Sequence, residues 1–366
     1  MSDLQRVRVE LGERSYSIFL GYDIWKACIA QLKEISPEKE VFLVSDRHVF
    51  DLFGCSLEEL LAREGYRCLW HVVSPGEGSK NWTEAGVILE KMLENNLGRK
   101  APLLALGGGV IGDLAGFTAA VYRRGVPFVQ IPTSLLAQVD SSVGGKVAVN
   151  HPLGKNMLGT FYQPQAVWAD LSVLNSLPVE EWRAGLAEVV KYGIIRDEQF
   201  FCFLEEHARA VYQKDPRVIP EVVKRCCMIK AEVVGLDERD EGLRNILNFG
   251  HTIGHALESA SAYSSYKHGE AVAIGINGAF HIARRFGWVG EALQKRVENL
   301  LLQWELPVSF PARYFDEVLK NIYYDKKVVG KKLVFVLPRG LGQVTIEKGL
   351  TPEQVKQAIG EITTCP

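Results

Sequence analysis

Residues 102–113 read PLLALGGGVIGD, an apolar run that meets three glycines and then turns into a helical pattern. Pro102–Leu106 has the length and composition of a buried strand. Gly107, Gly109 and Gly112 satisfy a GxGxxG spacing. Glycines at a strand-to-helix turn let backbone N–H groups approach phosphate oxygens, and the helix N-terminus adds positive dipole. A tight turn that binds nothing would look the same, so the glycines alone do not decide the matter. The usual dinucleotide fingerprint adds an acidic residue about 20 residues further on. Leu114–Val139 holds no Asp or Glu, and no Lys-Ser/Thr pair follows the glycines. The glycines also follow the third apolar run, not the first. The better ribose partner is Asp46, at the end of an earlier run. The stretch predicts a pyridine nucleotide on a variant α/β domain rather than ATP.

On either side of this stretch, short β-branched runs alternate with helical segments. Arg6–Leu11 and Tyr16–Leu20 read as a hairpin. Glu40–Ser45, Cys68–Val73, Pro127–Ile131 and Ala166–Ala169 read as parallel strands, with Trp82–Glu94 and Gly112–Tyr122 as helices between them. This alternation argues for a Rossmann-like parallel sheet. After Leu177-Pro178 the pattern changes. Residues 180–302 carry long helical periods, and a single strand-like run, Lys332–Leu337, follows. The expected division is an α/β domain over 1–178 and a mostly helical domain over 179–366.

The composition agrees with a folded chain of 366 residues, 47% apolar and 23% charged. Forty-two Lys+Arg against 44 Asp+Glu leave a formal charge of -2, which argues against a nucleic-acid binder or a polybasic membrane-surface protein. Seven cysteines in irregular positions read as reduced thiols. The N-terminus lacks a signal-peptide pattern, and the uncharged stretch Gly125–Val139 is broken by prolines and too short to span a bilayer. A cytoplasmic location is expected.

Gln138–Tyr162 reads as a cationic glycine-rich loop holding Lys146, Lys155 and Asn156, preceded by Arg123 and Arg124. Such groups suit phosphate or carboxylate, although isolated lysines more commonly face solvent. Thr133 and Ser134 add hydroxyls at the end of a strand, where ligands of open parallel sheets bind.

In the helical half, Glu188 is flanked by Leu186, Ala187, Val189 and Val190. A carboxylate there is costly to bury unless paired or bound to a cation. Lys191 at i+3 could be its ion-pair partner. Gly242–Glu258 reads GLRNILNFGHTIGHALE. If it is one helix, Arg244, Asn248, His251 and His255 fall near one face. His268 follows in His268-Gly269-Glu270. Glu188 with two of the three histidines can supply the ligands of an open zinc site. The spacing does not say which two, and His251 with His255 is the choice from pattern alone.

The chain resembles the 3-dehydroquinate synthase family. The matching stretches are GGGVIGDLAGF (107–117), RRG (123–125), QIPTSLLAQVDSSVGGKVAVN (130–150), HPLGKNMLG (151–159), LAEVVKYG (186–193), LRNILNFGHTIGHALE (243–258) and HGEAVAIG (268–275). The resemblance implies a homodimer that converts 3-deoxy-D-arabino-heptulosonate 7-phosphate to 3-dehydroquinate and phosphate, in the shikimate route to aromatic compounds. It implies Glu188, His251 and His268 as ligands of zinc or cobalt, which replaces the choice from pattern and moves His255 to the substrate. It implies NAD contacts at Asp46, Glu77, Lys80, Gly108, Gly109, Val110, Ile111, Gly112, Asp113, Thr133, Ser134, Asp140, Lys146, Lys155 and Ser176. Substrate contacts are implied at Arg124, Lys146, Asn156, Lys191, Lys230, Arg244, Asn248 and His255, with Arg124 reaching the neighbouring subunit. One lysine of Lys326 and Lys327 is implied to contact phosphate. Ser134 stands where the family has a second threonine, and Val173–Ser176 departs from its threonine-rich turn.

The same resemblance implies transient oxidation at C5 by NAD, β-elimination of phosphate, return of the hydride, ring opening and intramolecular aldol closure. Arg244 and Lys230 would hold the carboxylate, and Lys146, Asn156, His255 and Arg124 the phosphate. These residues make the expected site locally cationic despite the near-neutral total. Two other readings stand beside this one. A related cyclase would act on sedoheptulose 7-phosphate or glucose 6-phosphate, and a metal-dependent glycerol-type dehydrogenase would share the glycine turn and metal-binding half.

Overall fold

The computed structural model describes residues 4–262, 265–327 and 333–364, and of 324–327 only the backbone. The chain divides into two compact units, Met1–Leu177 with Lys230–Arg239, and Pro178–Ile229 with Asp240–Pro366. Lys230–Arg239, which the sequence reading left in the helical half, therefore groups with the first unit.

The first unit is built on a seven-stranded sheet. Its strands are β1 (Gln5–Val9), β2 (Tyr16–Gly21), β3 (Glu40–Asp46), β4 (Arg67–Val73), β5 (Leu103–Gly107), β6 (Phe128–Pro132) and, after a separate hairpin described below, β9 (Ala166–Asp170). Their spatial order is β1-β2-β9-β6-β5-β3-β4. β1 runs antiparallel to β2, and the other neighbouring pairs are parallel. Alternation along the strands fills two apolar layers. Phe42, Val44, Leu103 and Ala105 face one way, against helices α3 (Trp82–Glu94) and α4 (Gly109–Val121). Val41, Leu43, Leu104 and Leu106 face the other, against α1 (Trp25–Ile35) and α2 (Cys55–Arg63). Burial on both faces explains why these strands read as continuous apolar runs.

The expected loop over 138–162 contains structure that the sequence reading did not assign. β7 (Lys146–His151) and β8 (Gly154–Phe161) form an antiparallel hairpin outside the main sheet. Val147 and Val149 of β7 are buried in the layer against α4. β8 is exposed along nearly all its length. Its glycines, Lys155 and Asn156 carry little strand propensity, so the pairing was hidden.

The second unit is mainly helical. Helix α5 (Val179–Arg196) is buried over most of its length. α6 (Ile219–Leu236) follows, and its residues from Lys230 on belong to the first unit. α7 (His251–Ala260) and α8 (His268–Arg285) complete the part that carries the site. Small residues let these helices touch backbone to backbone. A Cβ on Gly269 would lie 2.0 Å from the Ala184 carbonyl oxygen, and one on Gly275 would lie 1.9 Å from that of Gly250. β11 (Val334–Gly340) pairs antiparallel with β12 (Gln343–Lys348), after a two-residue strand β10 (Phe310–Pro311) that pairs with β13 (Thr363–Thr364). Lys332, where the sequence reading began its last strand, and Cys365 lie outside the described residues. The partner β12 was not anticipated. No described helix is long and apolar enough to cross a membrane.

Candidate functional site

In the first unit, β5 delivers Gly107 to the end of the sheet and α4 begins at Gly109. The cap residue, Gly108, offers no side chain to the helix N-terminus. The first-turn N–H groups, which no helix can satisfy internally, thus face a turn without side-chain caps. The glycines are required by packing as well. A Cβ on Gly107 would lie 2.6 Å from the side chain of Ile111, and one on Gly112 would lie 2.5 Å from Gln130 Oε1. Gly108 and Gly109 look towards the hydroxyls of Ser134 and Ser141, at 3.5 and 3.0 Å from their ideal Cβ positions. The uncapped helix start beside these small residues fits a diphosphate. Val110 and Ile111 supply the next backbone N–H groups of the same turn.

Around this turn the structure collects several residues singled out from the sequence. Asp46 ends β3, next to β5 in the sheet, and its carboxylate accepts from Val49 N at 3.0 Å. Lys80 is buried, and its ammonium donates to Asp113 Oδ2 at 2.5 Å and Asn156 Oδ1 at 2.6 Å. Burial pushes the Asp113 carboxyl above its usual range, against the opposing pull of Lys80. Asn150, not anticipated from the sequence, ties the hairpin to this group. It donates to Glu77 Oε1 at 2.6 Å and accepts from the Asn156 amide at 2.9 Å. Asn156 itself sits at φ 56, a left-handed position that Asn tolerates. Thr133 donates its backbone N–H to the Gly107 carbonyl, and Ser134 Oγ accepts from Ala137 N. Ser176 is exposed and hydrogen-bonded to the Val173 carbonyl. Lys146 and Lys155 are exposed on β7 and β8.

Lys230 and Arg244, the two expected carboxylate ligands, fall in different units. Lys230 is buried in the first unit, where its ammonium donates to the side chain and backbone oxygen of Asp140. Arg244 belongs to the second unit. Arg123, Arg124 and Gly125 take three successive positive φ values, 48, 68 and 112°, and Arg124 is exposed at this turn.

The second unit holds the histidine cluster. The sequence reading put Arg244, Asn248, His251 and His255 on one helix, and the structure breaks that helix. Leu243–Asn248 is a 3-10 turn, Gly250 is left-handed at φ 80, and α7 starts at His251. Only His251 and His255 share a helical face. Arg244 is buried, while Asn248 and His255 are exposed.

One donor atom each from Glu188, His251 and His268 lies within 4.8 Å of the other two. Glu188 Oε1 is 3.4 Å from His251 Nε2 and 3.6 Å from His268 Nε2. Its Oε2 meets the ammonium of Lys191, so the expected ion pair is present and uses one oxygen, while the other faces the two histidines. His251 Nδ1 lies 3.0 Å from the Phe249 carbonyl. That carbonyl can only accept, so Nδ1 carries the proton and Nε2 offers a lone pair towards Glu188. Burial holds His251 down, to about 3, and thus neutral. Burial also lowers His268, but hydrogen bonds and charges from Glu188 and Glu258 outweigh it and raise it to about 10. Two imidazole nitrogens and a carboxylate oxygen converging in a buried place fit a divalent cation of the zinc type. Glu258 was missed in the sequence, where it reads as an ordinary polar residue at a helix end. Lys326 and Lys327 end a helix, and their side chains lie outside the described residues.

The family described as 3-dehydroquinate synthase N-terminal matches residues 70–184, and 3-dehydroquinate synthase C-terminal matches 185–328. A 3-dehydroquinate synthase of Thermodesulfovibrio yellowstonii is 44% identical over 98% of this chain and 100% of its own. Among solved structures, a 2-epi-5-epi-valiolone synthase from Streptomyces hygroscopicus subsp. jinggangensis 5008, with NAD+ and Zn2+ bound, superposes with a TM-score of 0.88 at 29% identity, covering 96% of this chain and 98% of that one. A 2-deoxy-scyllo-inosose synthase complexed with carbaglucose-6-phosphate, NAD+ and Co2+ has a TM-score of 0.89 over 98% of this chain and 99% of that one; at 24% identity it speaks for the fold alone.

Proposed function

Because the chain belongs to the 3-dehydroquinate synthase family, we propose that it converts 3-deoxy-D-arabino-heptulosonate 7-phosphate to 3-dehydroquinate and phosphate, as a carbon–oxygen lyase dependent on NAD and a divalent metal. The observation that carries this reading is the convergence of Glu188, His251 and His268, in a chain that matches the family along its length. When bound, NAD and zinc or cobalt would supply reversible hydride transfer and polarisation of the substrate hydroxyl.

The residues of this chain then bind and orient. The α4 N-terminus from Gly108 to Asp113 cradles the diphosphate, and Asp46 takes the ribose. Thr133, Ser134, Lys155 and Ser176 line the remainder, with Glu77, Lys80 and Asp140 holding the surrounding groups. Glu188, His251 and His268 hold the metal. Arg244 offers a planar fork for the carboxylate. Lys146, Asn156, His255 and Arg124 serve the phosphate, Asn248 the hydroxyls, and Lys191 keeps Glu188 in place while facing the reacting part of the substrate. Lys230, proposed from the family for the carboxylate, would have to exchange its contact with Asp140 to reach it. The departing phosphate can take the adjacent proton itself, which removes the need for a separate strong base.

A homodimer is part of the proposal. β8 is an exposed strand carrying Leu153 before it and Met157, Leu158 and Phe161 along it, the exposed apolar edge that proteins usually cover. The strained turn at Arg124 would then present its guanidinium to the neighbour. A cytoplasmic setting is proposed from the irregular spacing of the seven cysteines along the chain.

The test is phosphate release from the heptulosonate phosphate with catalytic NAD. Stoichiometric phosphate without net NADH supports the reading. NADH accumulation without phosphate refutes it, and turnover of sedoheptulose 7-phosphate in its place would assign the chain to a related cyclase.

A further inference from the structure

His268 is the one proposed ligand that faces a carboxylate on both sides of its ring. Its Nε2 looks towards Glu188, and its Nδ1 lies 3.3 Å from Glu258 Oε2. Glu258 is 8% exposed, on α7, while His268 opens α8. The chain spends buried charge to bring the two together across a pair of helices. The other imidazole, His251, has its Nδ1 proton taken by a backbone carbonyl. The two ligands are thus oriented by different means, one by backbone and one by a side chain.

We propose that Glu258 is the positioning residue of the metal site: it accepts the Nδ1 proton of His268, locks that ring with Nε2 towards Glu188, and strengthens it as a ligand. The inference rests on the metal reading above. A neutral imidazole has one N–H and one lone pair, so an acceptor at Nδ1 selects the tautomer that binds through Nε2. Partners of this kind typically govern metal affinity by 10–100-fold. Glu258 does not touch the substrate or the metal in this scheme and acts only through His268.

The same atoms admit a competing use. His255, Glu258 and His268 also offer donor atoms within 4.8 Å of one another, a second cluster that shares His268 with the first. A cation in each cluster would require His268 to give up both ring protons and bridge the two ions. It would also place two dications about one imidazole width apart. A carboxylate that takes the Nδ1 proton needs neither, so the geometry favours positioning over a second metal.

The experiment measures zinc affinity of the purified full-length protein by competition with a chromophoric chelator, together with zinc stoichiometry and melting of the metal-free forms. Wild type should bind one zinc per chain. Glu258→Ala should lose ten- to hundredfold in affinity, and Glu258→Gln, whose amide oxygen still accepts from Nδ1, should lose less than the alanine variant. A purely structural role would lower the metal-free melting temperature and leave the affinity of the folded protein unchanged. Affinity of Glu258→Ala within twofold of wild type overturns the proposal. If that variant does not fold, Glu258→Gln decides: a loss of threefold or more supports it, and wild-type affinity overturns it. Two zinc ions per wild-type chain, falling to one in either variant, also overturn it in favour of the second cluster. A wild type that binds no zinc overturns both this inference and the metal reading.

Discussion

Glu188 and Lys191 stand one turn apart on α5, carboxylate against ammonium, at 0% and 1% exposure. Removing one member of a buried pair leaves an uncompensated charge, at about 3–5 kcal/mol. Lys191→Met should therefore lower the stability of the metal-free protein by about 3 kcal/mol. In the metal-loaded protein the loss should be smaller, because a bound cation gives Glu188 another positive partner. Urea unfolding of both forms checks this, and equal losses would mean that the cation does not reach Glu188.

A second pair, with Lys80 buried and Asp113 partly so, sits at the glycine turn. Lys80→Met strands the Asp113 carboxylate and should cost about 2 kcal/mol near neutral pH. Without Lys80, the pKa of Asp113 rises further above its unfolded value. A group raised in this way favours folding while protonated and loses that contribution as pH rises through its folded value. The cost should therefore be smaller at about pH 5 than at about pH 8. Denaturant midpoints of variant and wild type at the two values measure the difference.

Gly250→Ala tests the break in the predicted helix. Gly250 is at φ 80, and an added Cβ would lie 2.8 Å from Ile276 Cγ1 and 2.9 Å from the Val272 carbonyl oxygen. Left-handed strain and overpacking together should cost about 2–4 kcal/mol. The substitution also perturbs the link between Arg244 and Asn248 on one side and His251 on the other. KM for the substrate should rise more than thermal stability alone would explain.

The thiols divide by burial. Burial pushes the Cys28 thiol far up and that of Cys68 up to about 12, while Cys55 and Cys202 are exposed. Among the described cysteines, brief alkylation of the native protein near neutral pH should label Cys55 and Cys202 first. Cys28, Cys226 and Cys227, all buried, should label only on unfolding. Peptide mapping by mass spectrometry reads this out.

These cases also mark how far the sequence could be read. Strands such as β3 and β5 were legible because burial on both faces leaves an unbroken apolar run. The β7–β8 hairpin was not, because only Val147 and Val149 of one strand are buried and the other strand is glycine- and lysine-bearing. The cluster of Glu188 with histidines was legible from the cost of burying a carboxylate among apolar neighbours. Its arrangement was not, since the helix assumed to carry Arg244 to His255 ends at a left-handed glycine. Gly250 directly before His251 was the available signal. Glu258 gave none, because its partner His268 comes from another helix.

The sheet order has a consequence for how the chain is made. β2 lies between β1 and β9, and its residues Ser17–Gly21 pair with Ala166–Asp170. The Asp170 carboxylate then accepts from the backbone N–H groups of Asp23 and Ile24, at 3.0 and 2.8 Å. During synthesis the first hairpin therefore emerges with no sheet to join. It must wait, the edge of β2 that will meet β9 unmatched, until residue 170 has cleared the ribosome. Contacts of such long sequence separation form slowly. The N-terminal strands, first to be made, are among the last to be seated, and over that interval the nascent chain is most dependent on being kept from pairing with a neighbour.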